Sequence, residues 1–148
     1  MEVNQLRSIL QKVKAGEIDI EHAMEKLKYL PFEDIGYAKL DNHRALRNGY
    51  PEVIYCQGKA VDHIKGIVKR MMERGDKNIL ATRAEPEVYE AIRDITEDVE
   101  YHSLARIAVV KRREIPTAAY PIAVVTGGTS DLPVAEEAAI TAEVLGNK

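Results

Sequence analysis

The sequence predicts an α/β fold in three parts. A helical hairpin occupies residues 1–30. A small three-layer-type α/β domain with a parallel or mixed sheet follows over 31–118, and residues 119–148 form the first βα unit of a further domain. Three observations predict this. Apolar residues recur at helical spacing at both ends of the first thirty residues, as Leu6, Ile9, Leu10 and Val13, then Ile20, Ala23, Met24 and Leu27. From Val53 onward, short β-branched runs alternate with helical stripes. After a proline-bearing stretch with Pro116 and Pro121, an apolar run enters Gly-Gly-Thr-Ser-Asp and then an alanine-rich helix.

Each element has its own signal. Helices over 4–14 and 20–29 are separated by Ala15-Gly16-Glu17, with Gly16 suited to a left-handed helix end and Asp19 to an N-cap. A hairpin this small must dock on its own chain or on a neighbouring subunit. Residues 31–51 read as an irregular connector holding a short helix capped by Asp41 and stopped by Gly49. Strands are expected at 53–56, 78–82, 100–103 and 104–111. Helices are expected at 61–73, with Ile64, Ile67, Val68, Met71 and Met72 on one stripe, and at 86–95, where Pro86 suits the first turn. A buried strand at 122–126 and a helix at 132–145 complete the pattern.

Composition narrows the function classes. The chain has 148 residues, 45% hydrophobic and 30% charged, a globular balance. With 21 Lys and Arg against 24 Asp and Glu, the net charge is −3, against nucleic-acid binding. No apolar run approaches the roughly 20 residues of a membrane span, and no signal segment opens the chain. The single cysteine, Cys56, cannot form an internal disulfide, so a cytoplasmic setting is expected. It sits on a strand as a buried, inert thiol.

The stretch with most chemistry is Gly127-Gly128-Thr129-Ser130-Asp131. A strand, a turn and a helix start bring backbone N–H groups, two hydroxyls and the positive helix end together, a setting for phosphate or carboxylate. The two glycines permit close approach of a ligand. Alternatively Thr129, Ser130 and Asp131 only cap the helix, with Glu136 and Glu137 as dipole partners. Arg44 and Arg47 share a helix face and either clamp a pyrophosphate or form a solvated face paired with Asp41 or Glu52. Lys59 and Arg83 fall at the carboxyl ends of adjacent strands, where open sheets bind ligands. Arg83 has the competing role of an ion pair with Glu85 or Glu87. His43 lacks partners at metal-ligand spacing. Lys111-Arg112-Arg113 reads as a solvated loop.

The run from Gly127 to Ala138 (Gly-Gly-Thr-Ser-Asp-Leu-Pro-Val-Ala-Glu-Glu-Ala) resembles the opening of the carboxylase-like domain of the pyridinium biscarboxylic acid mononucleotide synthase family. That family makes the precursor of the nickel-pincer nucleotide cofactor of lactate racemase. Ile35 to Asp41, Arg44 to Arg47, Gly49 to Tyr55, Gly58-Lys59 and Leu80 to Arg83 match as well, so the resemblance covers nearly the whole chain. It implies carboxylation of the pyridinium ring of nicotinic acid adenine dinucleotide by carbon dioxide or bicarbonate, with hydrolysis that releases AMP. It also implies that residues 119–148 begin a Rossmann-like domain similar to aminoimidazole ribonucleotide carboxylase.

Carried over, Gly127, Gly128, Thr129 and Ser130 hold phosphate or ribose, and Asp131, the expected catalytic residue, binds a ribose hydroxyl or orients a metal-bound water. Arg44, Arg47, Lys59 and Arg83 are the further substrate-binding candidates. Mg²⁺ is the cofactor the hydrolysis would use, and a homo-oligomer is the expected assembly. Gly128 stands where the purine enzymes carry a serine, and their general-acid histidine has no counterpart, which disfavours a purine-pathway carboxylase. The family's ring-attacking cysteine lies downstream of the last residue here and Cys56 does not replace it, so the chain resembles a truncated synthase expected to lack carboxylase activity. The rival expectation is a non-catalytic nucleotide-binding or assembly module.

Overall fold

A computed structural model describes residues 3–27, 32–41, 44 and 49–148. The chain forms two compact units, Met1–Glu52 and Val53–Lys148.

The first unit opens with α1 (Val3–Lys14) and α2 (Ile20–Leu27). Gly16, at φ +71°, ends α1 in a Schellman arrangement. Its N–H donates to Val13 O, and the N–H of Glu17 donates to Lys12 O. Asp19 caps α2 as expected, its carboxylate accepting from the His22 N–H at 2.7 Å. Residues 28–31 lie outside the described residues, and so does the expected end of the second helix.

The expected irregular connector instead contains an antiparallel hairpin, β1 (Phe32–Asp34) with β2 (Lys39–Asp41). Gly36 turns the chain at φ +88°, and its N–H is held by the Asp34 carboxylate at 2.8 Å. Asp41 ends β2, and its N–H donates to Glu52 Oε2 at 2.7 Å; the residues that would show whether it also caps the expected short helix lie outside the described residues. Of the expected short helix, Arg44 is described as helical and exposed, while His43 and Arg47 lie outside the described residues.

The second unit is built on a four-stranded mixed sheet in the order β3-β4-β6-β5. Its strands are β3 (Val53–Tyr55), β4 (Ile79–Thr82), β5 (Val99–His102) and β6 (Ile107–Val110). β3 runs parallel to β4, which requires the crossover helix α3 (Val61–Glu73). The helix α4 (Pro86–Arg93) follows β4 and packs beside α3. β6 lies antiparallel to both β4 and β5.

Every residue of β4 and β6 is buried, as expected of central strands covered on both faces. Leu80, Ile107 and Val109 face one side, where Ile140 and Val144 of α5 (Leu132–Val144) complete the core with Ala105 and Val53. By strand alternation Ile79, Ala81, Ala108 and Val110 face the other side. That side is left to the buried stripes of α3 (Ile64, Ile67, Val68, Met71) and α4 (Val88, Ile92). The result is an α/β unit whose sheet is mixed in direction, as expected, with its third layer supplied by α5, a helix assigned from sequence to a further domain.

The run 122–126 departs from expectation. It has no regular secondary structure and pairs with no described strand. Val125 is 90% exposed and Ile122 52%. A strand needs a neighbour to accept its backbone groups and cover its side chains. Here the Ile122 N–H is met instead by Lys148 O at 2.8 Å.

Candidate functional site

The carboxyl ends of the parallel strands β3 and β4 make the candidate site. Beyond β3 the Cys56 N–H still donates to Thr82 O, so the two strands end level. Gly58, at φ +80°, then turns the chain. The Lys59 N–H donates to Cys56 O, and its ammonium donates to Tyr55 O at 2.8 Å. α3 starts two residues later. Beyond β4, Arg83 takes a left-handed φ of +53°, and α4 starts at Pro86. Neither helix has a side-chain N-cap hydrogen bond. Both positive helix ends therefore lie at the same edge of the sheet, although α4 starts with Pro86, which has no N–H, and its Val88 N–H already donates to Glu85 O at 2.9 Å.

Between these turns lies a cleft of about 320 Å³. Its polar lining includes Lys59, Arg83, Arg106, Glu85 and Glu87, with the buried Cys56 beneath. Arg106 precedes β6 and also adopts positive φ, +51°. The N–H of Ala84 donates to its carbonyl at 2.7 Å, tying the two arginine turns together. Tyr101 steadies the same corner, its hydroxyl donating to Ala84 O at 3.0 Å while its ring stacks on Tyr89. Burial pushes the Tyr101 phenol upward, which keeps it a donor.

The cations are unequally satisfied. Arg106 pairs with Glu85 at 2.9 Å. Arg83 pairs through one terminal nitrogen with Glu137 of α5 at 3.1 Å, and its Nε is buried with no hydrogen-bond partner. Neither Glu85 nor Glu87 is the partner of Arg83. Lys59 has the Tyr55 carbonyl but pairs with no carboxylate among the described residues. Burial pushes the Cys56 thiol up from 9.0 to about 11, against a downward pull from Lys59. That is the reverse of an activated nucleophile.

The second expected feature, residues 127–131, stands apart from this cleft. Thr129–Asp131 form a single 3-10 turn leading into α5, with Thr129, Ser130 and Asp131 exposed. Asp131 occupies the position before α5 but makes no side-chain cap, nor does Gly128 before the 3-10 turn. Neither Gly127 nor Gly128 needs a glycine's backbone freedom. A Cβ on Gly127 would meet nothing within 4 Å, and one on Gly128 would make ordinary contact with Asp131 and Ser130 at 3.6 and 3.7 Å. Only Gly127 faces open space. Glu137, one turn into α5, links this segment to Arg83.

The structure thus brings Lys59 and Arg83 to one cleft and joins the segment of the Gly127 turn to it through Glu137. Arg44 belongs to the other compact unit, and Arg47 lies outside the described residues. Sequence reasoning misses Arg106, and it reads Glu137 only as a dipole partner of its own helix, not as the partner of Arg83. A strand drawn from Leu104 hides Arg106 in its interior, whereas the pairing begins at Ile107. At the opposite end of β4, Asn78 is 5% exposed at φ +53°. Its Nδ2 donates to Arg113 O at 3.1 Å and to Val144 O at 3.5 Å, while Oδ1 accepts from the Arg113 N–H. Lys111-Arg112-Arg113, read as a solvated loop, is paired. Arg112 bridges Glu100 and Glu143, and Arg113 lies 2.6 Å from Asp98 and holds that carboxyl below its usual range.

This mixed α/β unit carries, at the ends of its parallel strands, a cleft lined by three cations and two carboxylates. The chain belongs to the LarB/PurE-like N-terminal domain family, whose pattern matches residues 32–113, more than half of its length. It is therefore a member of a carboxylase-related family. It is also similar to the uncharacterized protein MJ0165 of Methanocaldococcus jannaschii, with 31% identity over 150 residues. The match covers 95% of this chain and 57% of that protein's length. Among the described residues, no helix is long and apolar enough to cross a membrane.

Proposed function

We propose that this chain is the amino-terminal part of a synthase that carboxylates the pyridinium ring of nicotinic acid adenine dinucleotide and releases AMP. Membership of the LarB/PurE-like N-terminal domain family is the observation that carries the reading. The Gly127-Gly128-Thr129-Ser130-Asp131 turn supports it, because it exposes two hydroxyls and a carboxylate together at the start of a helix.

In this reading Lys59 and Arg83 neutralise phosphate charge at the sheet edge, and Thr129 and Ser130 donate to phosphate or ribose oxygens. Asp131 orients a ribose hydroxyl or the attacking water. Arg44 and Arg47 add cationic charge from the first unit. Mg²⁺ would further neutralise the leaving phosphate. Such an ion is usually held by one or two carboxylates together with the substrate's phosphates and water, so it would enter with the substrate; among the described residues no three His, Cys, Asp or Glu side chains form a preformed metal cluster. Bicarbonate or carbon dioxide is the co-substrate, and the assembly proposed is a homo-oligomer in the cytoplasm.

A second reading, a nucleotide-binding module without turnover, draws on the seating of α5. Ile140 and Val144 are buried on the sheet within one compact unit. Calorimetric titration of the 148-residue chain with nicotinic acid adenine dinucleotide tests both. Saturable binding weakened in Lys59→Gln and Ser130→Ala is expected. Binding without AMP release in the presence of bicarbonate is the expected outcome for this chain, AMP release would overturn the expectation that it lacks turnover, and absence of binding overturns both readings. Turnover of an aminoimidazole ribonucleotide would point to purine chemistry instead.

A further inference from the structure

We infer that the hairpin of α1 and α2 is a self-association surface, on which α1 of one copy packs against α2 of a second copy of this chain. The inference rests on the homo-oligomer proposed above and gives it an interface. It uses neither the cleft at β3 and β4 nor the Gly127 turn.

The hairpin leaves apolar surface uncovered. Ala23 of α2 is buried, and Leu6, Ile9 and Val13 of α1 are partly buried. Leu10, Ile20 and Met24 each remain more than half exposed. At about 100° per residue, Leu10 stands about 70° round α1 from the centre of Leu6, Ile9 and Val13. Ile20 and Met24 stand about 60–100° round α2 from Ala23, in the same sense. Helices joined by so short a loop run antiparallel, and equal rotations on antiparallel helices bring both stripes to one face of the hairpin. Helices of 12 and 8 residues are too short to persist unaided, so that face needs a cover.

The charges select the cover. From Val3 to Gly16 the chain carries Arg7, Lys12 and Lys14 and no acid. From Glu17 to Leu27 it carries four acids, Glu17, Asp19, Glu21 and Glu25, against one cation, Lys26. One half of the hairpin is thus +3 and the other −3. The ion pair of His22 with Asp19 is local to the start of α2, and among the described residues Arg7, Lys14, Glu21 and Glu25 form none. Arg7 and Lys14 flank Leu10 at i−3 and i+4, and Glu21 lies beside Met24 at i−3. A two-fold axis along a four-helix bundle sets α1 of each copy on α2 of the other, so both matches of opposite charge form at once. The other two-fold pairing, α1 on α1, sets like charges together. A second copy therefore fits this face twice, in apolar surface and in charge.

Sedimentation velocity of the 148-residue chain over a concentration series is the test, with circular dichroism checking that each of four variants keeps its helices. A concentration-dependent dimer is expected. Leu10→Ser and Met24→Ser change residues exposed in the single chain. Each weakens dimerisation about tenfold or more, because a two-fold interface loses every contact twice. Two charge reversals give a sharper readout. Arg7→Glu with Lys14→Glu turns α1 net negative, and Glu21→Lys with Glu25→Lys turns the α2 half net positive. Each reversed chain alone is expected to stay monomeric, and an equimolar mixture of the two to form a heterodimer. Reversed chains that dimerise alone, or a mixture that stays monomeric, overturn the inference. A dimer insensitive to all four variants overturns this surface and leaves the homo-oligomer standing on another. An unmodified chain that is monomeric throughout overturns both. A monomer that Met24→Ser destabilises in urea likewise overturns both, since the hairpin then docks on its own chain.

Discussion

The carboxylate of Glu137 lies 3.1 Å from the guanidinium of Arg83, joining the second turn of α5 to the carboxyl end of β4. The contact draws attention to what seats α5. A partly exposed ion pair contributes about 0–1 kcal/mol. Burial of Ile140 and Val144 contributes more, because large-to-small changes at such sites cost about 2–5 kcal/mol. In urea unfolding, Glu137→Gln is expected to lower stability by less than about 1 kcal/mol, and Ile140→Ala by at least about 2 kcal/mol. The reverse ranking would show that α5 is held electrostatically.

Arg106 carries backbone strain, with φ at +51°. An L-residue pays about 1–2 kcal/mol there, and glycine does not. Arg106→Gly and Arg106→Ala lose the same exposed pair with Glu85, so their difference isolates the backbone. The glycine variant should be the more stable by about 1 kcal/mol. Equal unfolding midpoints would mean that φ is not positive in solution.

Asn78 ties the start of β4 to Arg113 and to the last turn of α5. Asn78→Ala leaves the part-buried Arg113 N–H without its acceptor, at a cost of about 1 kcal/mol. Asn78→Asp keeps the acceptor but sets a carboxylate against two carbonyl oxygens, so it should cost at least as much. Thermal denaturation of the two variants checks the order. A neutral Asn78→Asp change would show that the Nδ2 bonds contribute nothing.

Cys56 is 3% exposed, and its thiol is held protonated by burial. Iodoacetamide should label it far more slowly in the folded chain than in urea at pH 8. The raised thiol pKa also sets a pH dependence. The unfolded thiol ionises near 9.0 and the folded one near 11, so its contribution is complete below pH 9 and declines as pH rises from 9 to 11. Cys56→Ala should remove that part of the alkaline loss. Rapid labelling at pH 8 would show that the thiol is accessible and ionised.

Much of this protein is legible in its residue pattern. The stripe Ile64, Ile67, Val68, Met71 gives α3 its observed bounds, because helical periodicity and burial coincide there. β4 and β6 are legible as short β-branched runs with no polar face, the mark of strands covered on both sides. Lys59 and Arg83 could be placed at a sheet edge from the strand ends alone. The hairpin of β1 and β2 was hidden because strands of three residues carry too little alternation to stand out from a loop.

By itself the sequence determined the elements of the second unit, the α/β class and the cationic character of the strand ends, since these depend on local periodicity and position. Only the tertiary structure decided which charges meet. Arg106 reaches the cleft because β6 runs antiparallel to β4, and Glu137 reaches Arg83 because Ile140 and Val144 seat α5 on the sheet. It also left residues 122–126 without a strand partner, since pairing depends on which backbone lies alongside and not on β-propensity. Such pairings join residues far apart in the chain, and no spacing rule within a segment encodes them.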